Sequence, residues 1–352
     1  MHLNINHDAT RRQLLRTAAV GGGAIAAASV LPSIAQAATG SSASTAGSAS
    51  AVGALGARRY VPGVDVLPDL SHSTEALAGH IRGYFEAKST KNLDWQSSYF
   101  DAKQFTYIDA VLGWHWYSKA DLEAALQIWY PSWPAGSKSY PTRLLGDTTS
   151  AILIFTDTPG MFGLGQVRDY GAVDFNPDGT IGRWVDYWDA RQFGVAGWHS
   201  EVEPPDNWPT DFRESTVGEH AAPLMRTVAH NLASAFRNRD INAAMELFST
   251  DAVYEEVAAH IQITSQASIK AYLTKAASLL PYIGSTTGVR HVLGDEVGGG
   301  YEWTNTGGPI PRGITALELD PWGRIERFSA VWNGALATGA LLAGFAQDAI
   351  EY

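Results

Sequence analysis

The chain has no cysteine, and charged residues make up only 17% of its 352 positions. The absence of cysteine excludes disulfides, thiol nucleophiles and thiolate-bound metals. The net charge of -11 argues against nucleic acid or an anionic membrane surface as a partner, because the chain has no excess of positive charge to neutralise phosphates. The sequence also lacks a G-x-S-x-G motif and any HxH or HxxxH pair. These absences predict a protein that works without a metal or a cofactor.

Hydrophobic residues are plentiful at 45% of the chain, and the aromatic residues include 12 Trp and 14 Tyr. The length allows about two domains of ordinary size, each able to bury a core. Most of the aromatic side chains are expected in these cores. Their number also suits a pocket for a flat apolar ligand, so an aromatic small molecule is the expected partner.

The N-terminus carries an export pattern. The segment TRRQLLR (Thr10–Arg16) precedes a Gly/Ala-rich apolar run that ends in a small-x-small site at Ala35–Ala37. This pattern predicts a twin-arginine signal over 1–37 and a periplasmic or extracellular protein. The apolar run is short and rich in glycine, so no membrane association is expected after cleavage. Residues 38–71 are predicted to form a flexible linker.

Three blocks of sequence recur in the same order along the chain. They pair residues 105–126 with 252–273, 143–147 with 291–295, and 168–189 with 312–333. Such ordered self-similarity predicts two copies of one fold, at 72–197 and 217–352, joined by a linker at 198–216. The closing strand keeps acids only once, because Asp186 aligns with Ala330 and Asp189 with Asn333.

Both copies show the same order of predicted elements. An amphipathic helix comes first, then a short helix, a strand, a helix that begins after a serine, and strands separated by DTPG, NPDG and DPWG turns. This order predicts the α+β class. We expect two tandem cone-shaped α+β barrels, in each of which helices pack on a curled, mostly antiparallel sheet and close one side of a pocket.

The acidic residue late in the first strand and the closing DGTIGRWVDYWD (178–189) resemble a known family. They are similar to the SnoaL-like polyketide cyclases and the ketosteroid isomerases of the nuclear transport factor 2-like superfamily, and the resemblance occurs once in each copy. It implies the cone fold. It does not specify the reaction, because this fold supports isomerases, cyclases, epoxide hydrolases, lyases and binding proteins. It also implies that two copies can pair through their sheets, and a homo-oligomer is left open.

The resemblance implies a position for the carboxylate that shuttles a proton. Asp109 occupies that position in the first copy and Glu256 in the second. Burial in the cone would raise the pKa of such a carboxyl toward useful base strength. The family also has a tyrosine on its first helix that stabilises an oxyanion; Tyr84 lies one residue from that position, whereas the second copy has Leu232.

Strand alternation places Tyr107 and Asp109 on one face, and whether that face points into the cone is left open. Asp186 and Asp189 are three positions apart, so a regular strand turns at most one of them inward, and Asp189 is favoured. His115 lies between two tryptophans and is expected to be hydrogen-bonded in an aromatic cluster, with a proton shuttle as the alternative.

Arg168 matches Arg312 in the alignment, which favours a structural salt bridge over a role in binding substrate. The first copy is the preferred catalytic domain, and the second is left open. The predicted catalytic residues are Asp109, Asp189, Tyr107, His115 and Arg168; the predicted substrate-binding residues are Tyr84, Trp114, Trp116, Tyr170 and Trp188; the second-copy alternatives are Tyr254, Glu256, His260 and His291.

Three functions are compatible with these residues. The first is a cofactor-independent acid–base lyase; exported aromatic-rich members of the superfamily resemble bacterial diarylpropane lyases, which release formaldehyde from a lignin-derived 1,2-diaryl-1,3-propanediol to give a stilbene. The second is a polyketide cyclase, a ketosteroid-type isomerase or an epoxide hydrolase. The third is a non-catalytic periplasmic binding protein for an apolar ligand. The predicted export argues against a biosynthetic cyclase, and the lyase is slightly preferred.

Overall fold

The computed structural model describes residues 60–103, 105–163, 165–191 and 219–350. The predicted signal (1–37), most of the linker that follows it and the predicted inter-copy linker (198–216) lie outside the described residues. Within the described ranges, no helix is long and apolar enough to cross a membrane.

The first copy places its helices ahead of most of its strands. Its elements are β1 (Asp69–Ser73), α1 (Glu75–Thr90), α2 (Leu93–Ser97), β2 (Thr106–Asp109), β3 (Trp114–Trp116), α3 (Lys119–Trp129), β4 (Ser139–Gly146), β5 (Ser150–Asp157), β6 (Val167–Phe175) and β7 (Ile181–Trp188). The strands form one sheet in the order β1-β4-β5-β6-β7-β2-β3. All neighbouring strands are antiparallel except β1–β4 and β2–β7, which are parallel.

The second copy repeats this order and adds a helix at its end. Its elements are α4 (Pro223–Arg237), α5 (Ile241–Met245), β8 (Phe248–Glu256), β9 (Ile261–Thr264), α6 (Gln266–Ala276), β10 (Thr287–Gly294), β11 (Gly298–Asn305), β12 (Arg312–Leu319), β13 (Ile325–Trp332) and α7 (Gly339–Asp348). The sheet order is β10-β11-β12-β13-β8-β9. The structure is therefore α+β with two separate sheets, as the sequence predicts.

The start of the first copy differs from the prediction. Residues 69–71 belong to β1, which pairs with β4, and Tyr60, Val61 and Val64 are buried in the first core. The predicted flexible linker at 38–71 therefore extends too far, because its last part contains apolar residues that pack.

Local sequence explains where the helices begin. Ser118 and Ser265 accept hydrogen bonds from the backbone N–H groups three residues later, and Thr74 caps α1 in the same way. These contacts satisfy N–H groups that have no partner within the helix. The serine-capped helices predicted in both copies are thereby confirmed.

The two sheets pack face to face through a mixed apolar and ionic layer. The apolar part includes Ile154 and Tyr170 of the first sheet and Ile314 and Val331 of the second. Each sheet consequently has one face toward the other sheet and one toward its own helices. Alternation along each strand decides which side chains enter the cone.

A buried polar network joins the two sheets. The Arg183 guanidinium contacts Asp174 Oδ2 at 3.3 Å and Glu302 Oε2 at 2.5 Å, and all three side chains are fully buried. Tyr187 donates to the other oxygen of Glu302 at 2.5 Å, and Arg312 Nη2 donates to the Tyr187 hydroxyl at 2.6 Å. Paired charges of opposite sign make the burial of these groups tolerable, although removal of one partner would be costly.

Candidate active site

The first cone encloses a cavity of about 50 Å³ between α1–α3 and the inner face of the sheet. Its lining is largely apolar and includes eight aromatic side chains, together with four carboxyl groups and one lysine. The lining residues are Tyr84, Lys88, Gln96, Tyr107, Asp109, Leu112, Trp114, Trp116, Leu122, Leu126, Trp129, Trp133, Asp157, Phe162, Val167, Asp169, Asp186 and Trp188.

Asp109 and Asp186 lie side by side on the parallel strands β2 and β7, where their Cα atoms are register partners. Asp186 Oδ2 accepts a hydrogen bond from the Tyr107 hydroxyl at 2.5 Å, and Asp186 Oδ1 accepts one from Trp184 Nε1. Asp109 Oδ2 accepts from Trp188 Nε1 at 3.0 Å, while its Oδ1 accepts from backbone N–H groups of the following turn. Both carboxyls are thus held in place from two sides.

Burial raises the pKa of Asp186 to about 7, and the neighbouring Asp109 carboxylate contributes to the rise. The hydrogen bonds from Tyr107 and Trp184 act in the opposite direction, because they stabilise the charged form. A carboxyl with a pKa near 7 can both accept and release a proton at neutral pH. This is the property expected of a general base or acid.

Asp169 and Asp157 add a second acidic pair to the cavity. Burial raises the pKa of Asp169 well above its usual range, with further contributions from the Asp186, Asp109 and Asp157 carboxylates. Asp157 Oδ2 instead accepts a hydrogen bond from Lys88 Nζ at 3.1 Å. The cavity therefore holds a carboxyl that favours its protonated form beside an ion pair.

The wall opposite the sheet is built by α1 and α2. Tyr84 and Lys88 are four residues apart on α1, so both face the cavity. Gln96 of α2 donates from Nε2 to the Tyr84 hydroxyl at 3.1 Å. At the rim, the Trp129 ring of α3 stacks on Trp114, with 5.0 Å between the ring centroids.

Six of the residues predicted for the first site line this cavity. They are Tyr84, Tyr107, Asp109, Trp114, Trp116 and Trp188. The orientation left open for Asp109 is inward. β2 and β3 form a regular antiparallel pair in which Tyr107 lies opposite Trp116 and Asp109 opposite Trp114. These four side chains therefore share the face that points into the cavity.

The preference for Asp189 over Asp186 is wrong. β7 ends at Trp188, and period-two alternation along it turns Asp186 and Trp188 into the cone. Asp189 lies beyond the strand, where Arg191 Nη2 pairs with its Oδ2 at 2.7 Å and the pair packs against Gly334.

His115, Arg168 and Tyr170 also lie outside the cavity lining. His115 is the middle residue of β3, so it points opposite to Trp114 and Trp116, and its ring lies against Tyr117. Arg168 is exposed, and the salt bridge favoured for it is not found among the described residues; its guanidinium lies 5.9 Å from the centroid of the Tyr170 ring. Tyr170 faces the second sheet.

Arg168 and Asp189 do meet residues of the second copy in a groove of about 320 Å³ between the copies. The groove is lined by Gln166, Arg168, Asp189, Glu255, Glu256, Val257, His260, Ile261 and Gln262. His260 Nε2 lies 3.9 Å from Asp189 Oδ2. The predicted residues Arg168, Asp189, Glu256 and His260 therefore lie together, but apart from the carboxyl groups that line the first cone.

Sequence reasoning missed Lys88, Asp157 and Asp169 as site residues and ranked Asp186 second. The helical spacing from Tyr84 indicates Lys88, and alternation along β6 from Val167 indicates Asp169. No local signal indicates that Lys88 and Asp157, 69 positions apart, form a buried ion pair.

In the second cone, the equivalent carboxylate is enclosed by side chains. Glu256 accepts hydrogen bonds from the Tyr254 hydroxyl at 3.0 Å, the Tyr282 hydroxyl at 2.6 Å and Trp332 Nε1 at 2.6 Å. Burial raises its pKa to about 7. His291 is not at this position: it lies between the sheets, with Nε2 2.9 Å from Asp174 Oδ1.

One cluster among the described residues has donor atoms close enough to suggest a metal ion, formed by His72, Glu318 and Glu326. His72 Nδ1 lies 3.3 Å from Glu318 Oε2, and Nε2 lies 2.9 Å from Glu326 Oε1. The two ring nitrogens point in different directions, and Arg143 also binds Glu318 at 2.8 Å. The three side chains are therefore better placed to form polar contacts between the two copies than to bind one metal ion.

No family model matches the sequence, and no curated protein matches it. Solved structures do resemble parts of it. A nuclear transport factor 2-like protein of unknown function from Burkholderia xenovorans is 15% identical, with 31% of this chain and 83% of that one covered and a TM-score of 0.28. A steroid delta-isomerase from Pseudomonas aeruginosa is 16% identical, with 38% and 93% covered and a TM-score of 0.30.

A SnoaL-like protein of unknown function from Burkholderia thailandensis is 10% identical, with 31% of this chain and 94% of that one covered and a TM-score of 0.28. The names of these structures are those of the superfamily that the sequence resembles. Their identities and TM-scores are too low to bear on the reaction.

Proposed function

We propose that the first copy is an acid–base enzyme that acts on an aromatic small molecule without a cofactor, and that Asp186 carries the proton. The observation that supports this most strongly is the position of Asp186. Its carboxyl is buried in a cavity of aromatic rings and has a pKa of about 7. A buried carboxyl that has a pKa near neutrality and also lines a cavity is the combination expected of an acid–base group.

The neighbouring carboxyls divide the roles. Asp169 favours its protonated form and would serve as the acid, whereas Asp186 in its ionised form would serve as the base. Two carboxyls whose environments give them different protonation states are the usual arrangement for paired acid and base catalysis. Tyr107 and Trp184 orient the base, and Asp109 raises its pKa.

The finer reaction we propose is a lyase step on a diarylpropanediol. The base removes the proton of the terminal hydroxyl, the bond between the terminal carbon and its neighbour breaks, and formaldehyde leaves. The released electron pair forms the new carbon–carbon double bond, while the acid protonates the benzylic hydroxyl, which departs as water. Atoms and electrons balance without an oxidant or reductant, and the product is a stilbene.

A substrate of this size requires the rim to move. The cavity of about 50 Å³ is smaller than the roughly 150 Å³ that holds benzene in an engineered apolar cavity. Phe162 and Trp129 at the rim are only partly buried, with 6.2 Å between their ring centroids. Displacement of these two rings would extend the cavity toward solvent. We also propose that the reaction takes place outside the cytoplasm, in line with the predicted export signal.

The test is turnover of a 1,2-diaryl-1,3-propanediol by the purified chain, followed by formaldehyde release and stilbene absorbance. Asp186→Asn should lower kcat/KM by about 10²- to 10⁴-fold, because it removes the proton acceptor. Asp189→Asn is the matched control, since it makes the same change three residues away and outside the cavity, and it should retain activity. Wild-type kcat/KM should rise with pH through about 7, as Asp186 ionises.

Equal activity of the two variants would contradict the role of Asp186. Absence of turnover by the wild type, together with saturable quenching of tryptophan fluorescence by the diol, would favour the binding-protein alternative. Turnover of an enone or epoxide by an Asp186-dependent reaction would retain the acid–base site and replace the lyase with an isomerase or a hydrolase.

A further inference from the structure

We propose that Lys88 and Asp157 are positioning residues of the first-copy site: their buried ion pair directs the proton of the site to Asp169 and leaves Asp186 ionised. This inference rests on the proposed function, because it takes Asp169 as the acid and Asp186 as the base. It adds a role for two residues that the proposed reaction does not use.

Four carboxyls form a row across the inner face of the first sheet, one on each of four neighbouring strands. Asp157 on β5 and Asp169 on β6 are diagonal neighbours, and so are Asp169 and Asp186 on β7. Asp109 on β2 is the register partner of Asp186. All four residues line the cavity, so their side chains share one face and each can influence the next.

Lys88 lies at one end of this row. Its Nζ is 3.1 Å from Asp157 Oδ2, and the two side chains are only 6% and 3% exposed. The ring centroids of Phe155 and Phe162 are 4.8 and 5.7 Å from the same nitrogen, so aromatic rings also contact the ammonium group. Lys88 is the one cation among the described residues that line the cavity. The row therefore starts from a fixed pair of opposite charges.

The second copy builds the same fold without this pair. Phe236 lies three residues before the left-handed residue that follows α4, as Lys88 does before the one that follows α1. Asn305 ends β11 as Asp157 ends β5. A buried ion pair contributes little to stability compared with apolar side chains of similar volume. The fold alone therefore gives no reason for the charges in the first copy.

The pair acts in opposite directions on the two carboxyls of the reaction. Burial is the main cause of the raised pKa of Asp169; within the pair, the Asp157 carboxylate raises this pKa more than the Lys88 ammonium lowers it. Burial also raises the pKa of Asp186 to about 7, but Lys88 is among the groups that lower it. The pair consequently favours the proton on Asp169 over the proton on Asp186.

This direction matters because each turnover of the proposed reaction leaves the proton on the wrong carboxyl. Asp186 gains the proton of the terminal hydroxyl, and Asp169 gives its own proton to the hydroxyl that departs as water. The starting state returns when one proton passes from Asp186 to its diagonal neighbour Asp169. An ion pair that favours protonated Asp169 makes this return favourable.

The test removes the pair as a unit in the double variant Lys88→Met/Asp157→Asn. Carbon-13 NMR of the purified full chain, labelled at its aspartate carboxyls, follows the titration of each group. The signals of Asp169 and Asp186 are identified by their loss in Asp169→Asn and Asp186→Asn. In the double variant the midpoint of Asp186 should rise by about 0.5 pH unit or more and that of Asp169 should fall, so the two approach each other.

The pH profile of kcat/KM provides a second readout. Its midpoint should move upward with that of Asp186, so that about 3-fold less of the ionised base is present at pH 6. Arg143→Met/Glu318→Gln is the matched control, because it removes an ion pair of 2.8 Å whose residues do not line the cavity, and it should leave both midpoints unchanged.

Thermal unfolding checks that both double variants fold. Should the asparagine prevent folding, Lys88→Met/Asp157→Leu removes the same charges with an apolar pair and should give the same shifts.

Unchanged midpoints in the double variant would overturn the inference, as would a shift of both midpoints in the same direction or an equal shift in the control. These outcomes are separate from the catalytic test. If the midpoints stay and Asp186→Asn loses activity, the proposed function stands and the role of the pair fails. If the wild type does not turn over the diol, the NMR midpoints still decide whether the pair directs the proton to Asp169.

Discussion

The two cones keep the same pair of stacked rings and the same tryptophan-to-carboxylate hydrogen bond. Tyr107 stacks on Trp184 with an interplanar angle of 12°, and Tyr254 stacks on Phe328, at the aligned positions, with an angle of 8°. Trp188 donates to Asp109, as Trp332 does to Glu256. The common parts show that this arrangement serves the fold and is not in itself a sign of catalysis.

The difference lies in what surrounds the shared carboxylate. Asp169 aligns with Gly313, where the Trp303 ring lies so close that a Cβ atom would be 2.3 Å from it. Asp186 aligns with Ala330, and the Tyr282 hydroxyl completes the partners of Glu256. The second cone thus replaces acids by small residues and fills the space with aromatic rings. Chemistry at such a site requires space as well as a shifted pKa.

Ala330→Asp should have the largest effect, because it gives the second cone the acid of the first without the indole N–H that holds it there, while the Tyr254 hydroxyl is already bound to Glu256. Ala330 is fully buried beside Glu256 in the parallel register, and Phe328 lacks the N–H that Trp184 donates to Asp186. An unpaired buried carboxylate should cost about 3–5 kcal/mol of unfolding free energy. Urea unfolding at pH 8 measures it.

The control for this change is Ala330→Asn, which adds similar volume without a charge. The aspartate variant should be less stable than the asparagine variant at pH 8, and the gap should narrow at pH 5 as the carboxyl takes up a proton. Equal stability of the two variants at pH 8 would show that the second cone tolerates an acid as the first does.

Glu256→Gln should have the next largest effect, on the pH dependence of stability. The pKa of Glu256 is about 7 in the fold, above its usual 4.5, so the native state binds more protons between these values. The wild type should therefore lose stability as pH rises from about 4.5 to 7, and remain at the lower level above that. The glutamine variant should gain roughly 2–3 kcal/mol relative to the wild type over this range.

The measurement is the unfolding free energy of both proteins at pH 4.5 and pH 8. Activity provides the contrast with the first copy, since Glu256→Gln should change kcat/KM by less than about twofold. A loss of activity comparable to that expected for Asp186→Asn would move the reaction to the second copy.

Phe162→Ala should have the smallest effect, on ligand size. Phe162 is partly buried at the rim, where its ring centroid is 5.3 Å from that of Trp133. Its removal should tighten the binding of a two-ring diol a few-fold and leave that of catechol nearly unchanged, because only the larger ligand must displace the ring. Parallel fluorescence titrations of the two ligands would check this; an equal change for both would argue against a rim that limits size.

Much of the fold could be predicted from the sequence because its signals are local. Turn residues separate the strands, Ser118 and Ser265 begin matching helices, and the aligned blocks place Tyr107 and Asp109 on equivalent strands. Alternation along β7 also indicates that Trp184, Asp186 and Trp188 share a face. The choice of Asp189 went wrong because the strand ends one residue before it.

The remaining parts of the site depend on residues that are far apart in the chain. The pairing of Lys88 with Asp157 needs α1 to lie across the end of β5, and neither segment alone indicates it. Tyr170 is among the predicted substrate-binding residues, but it does not line the cavity. The face of β6 that carries Tyr170 is covered by the second sheet, so it belongs to the interface between the two sheets.

The sequence by itself determined two copies of one α+β unit, the order of their elements, and a shared carboxylate position at Asp109 and Glu256. These follow from periodicity, turn chemistry and self-similarity, which act over a few residues or between aligned blocks. Only the tertiary structure decided which carboxylate faces a cavity. That outcome depends on the volumes of side chains from several distant elements, among them Trp303 and Tyr282, which pack in the core of the second cone.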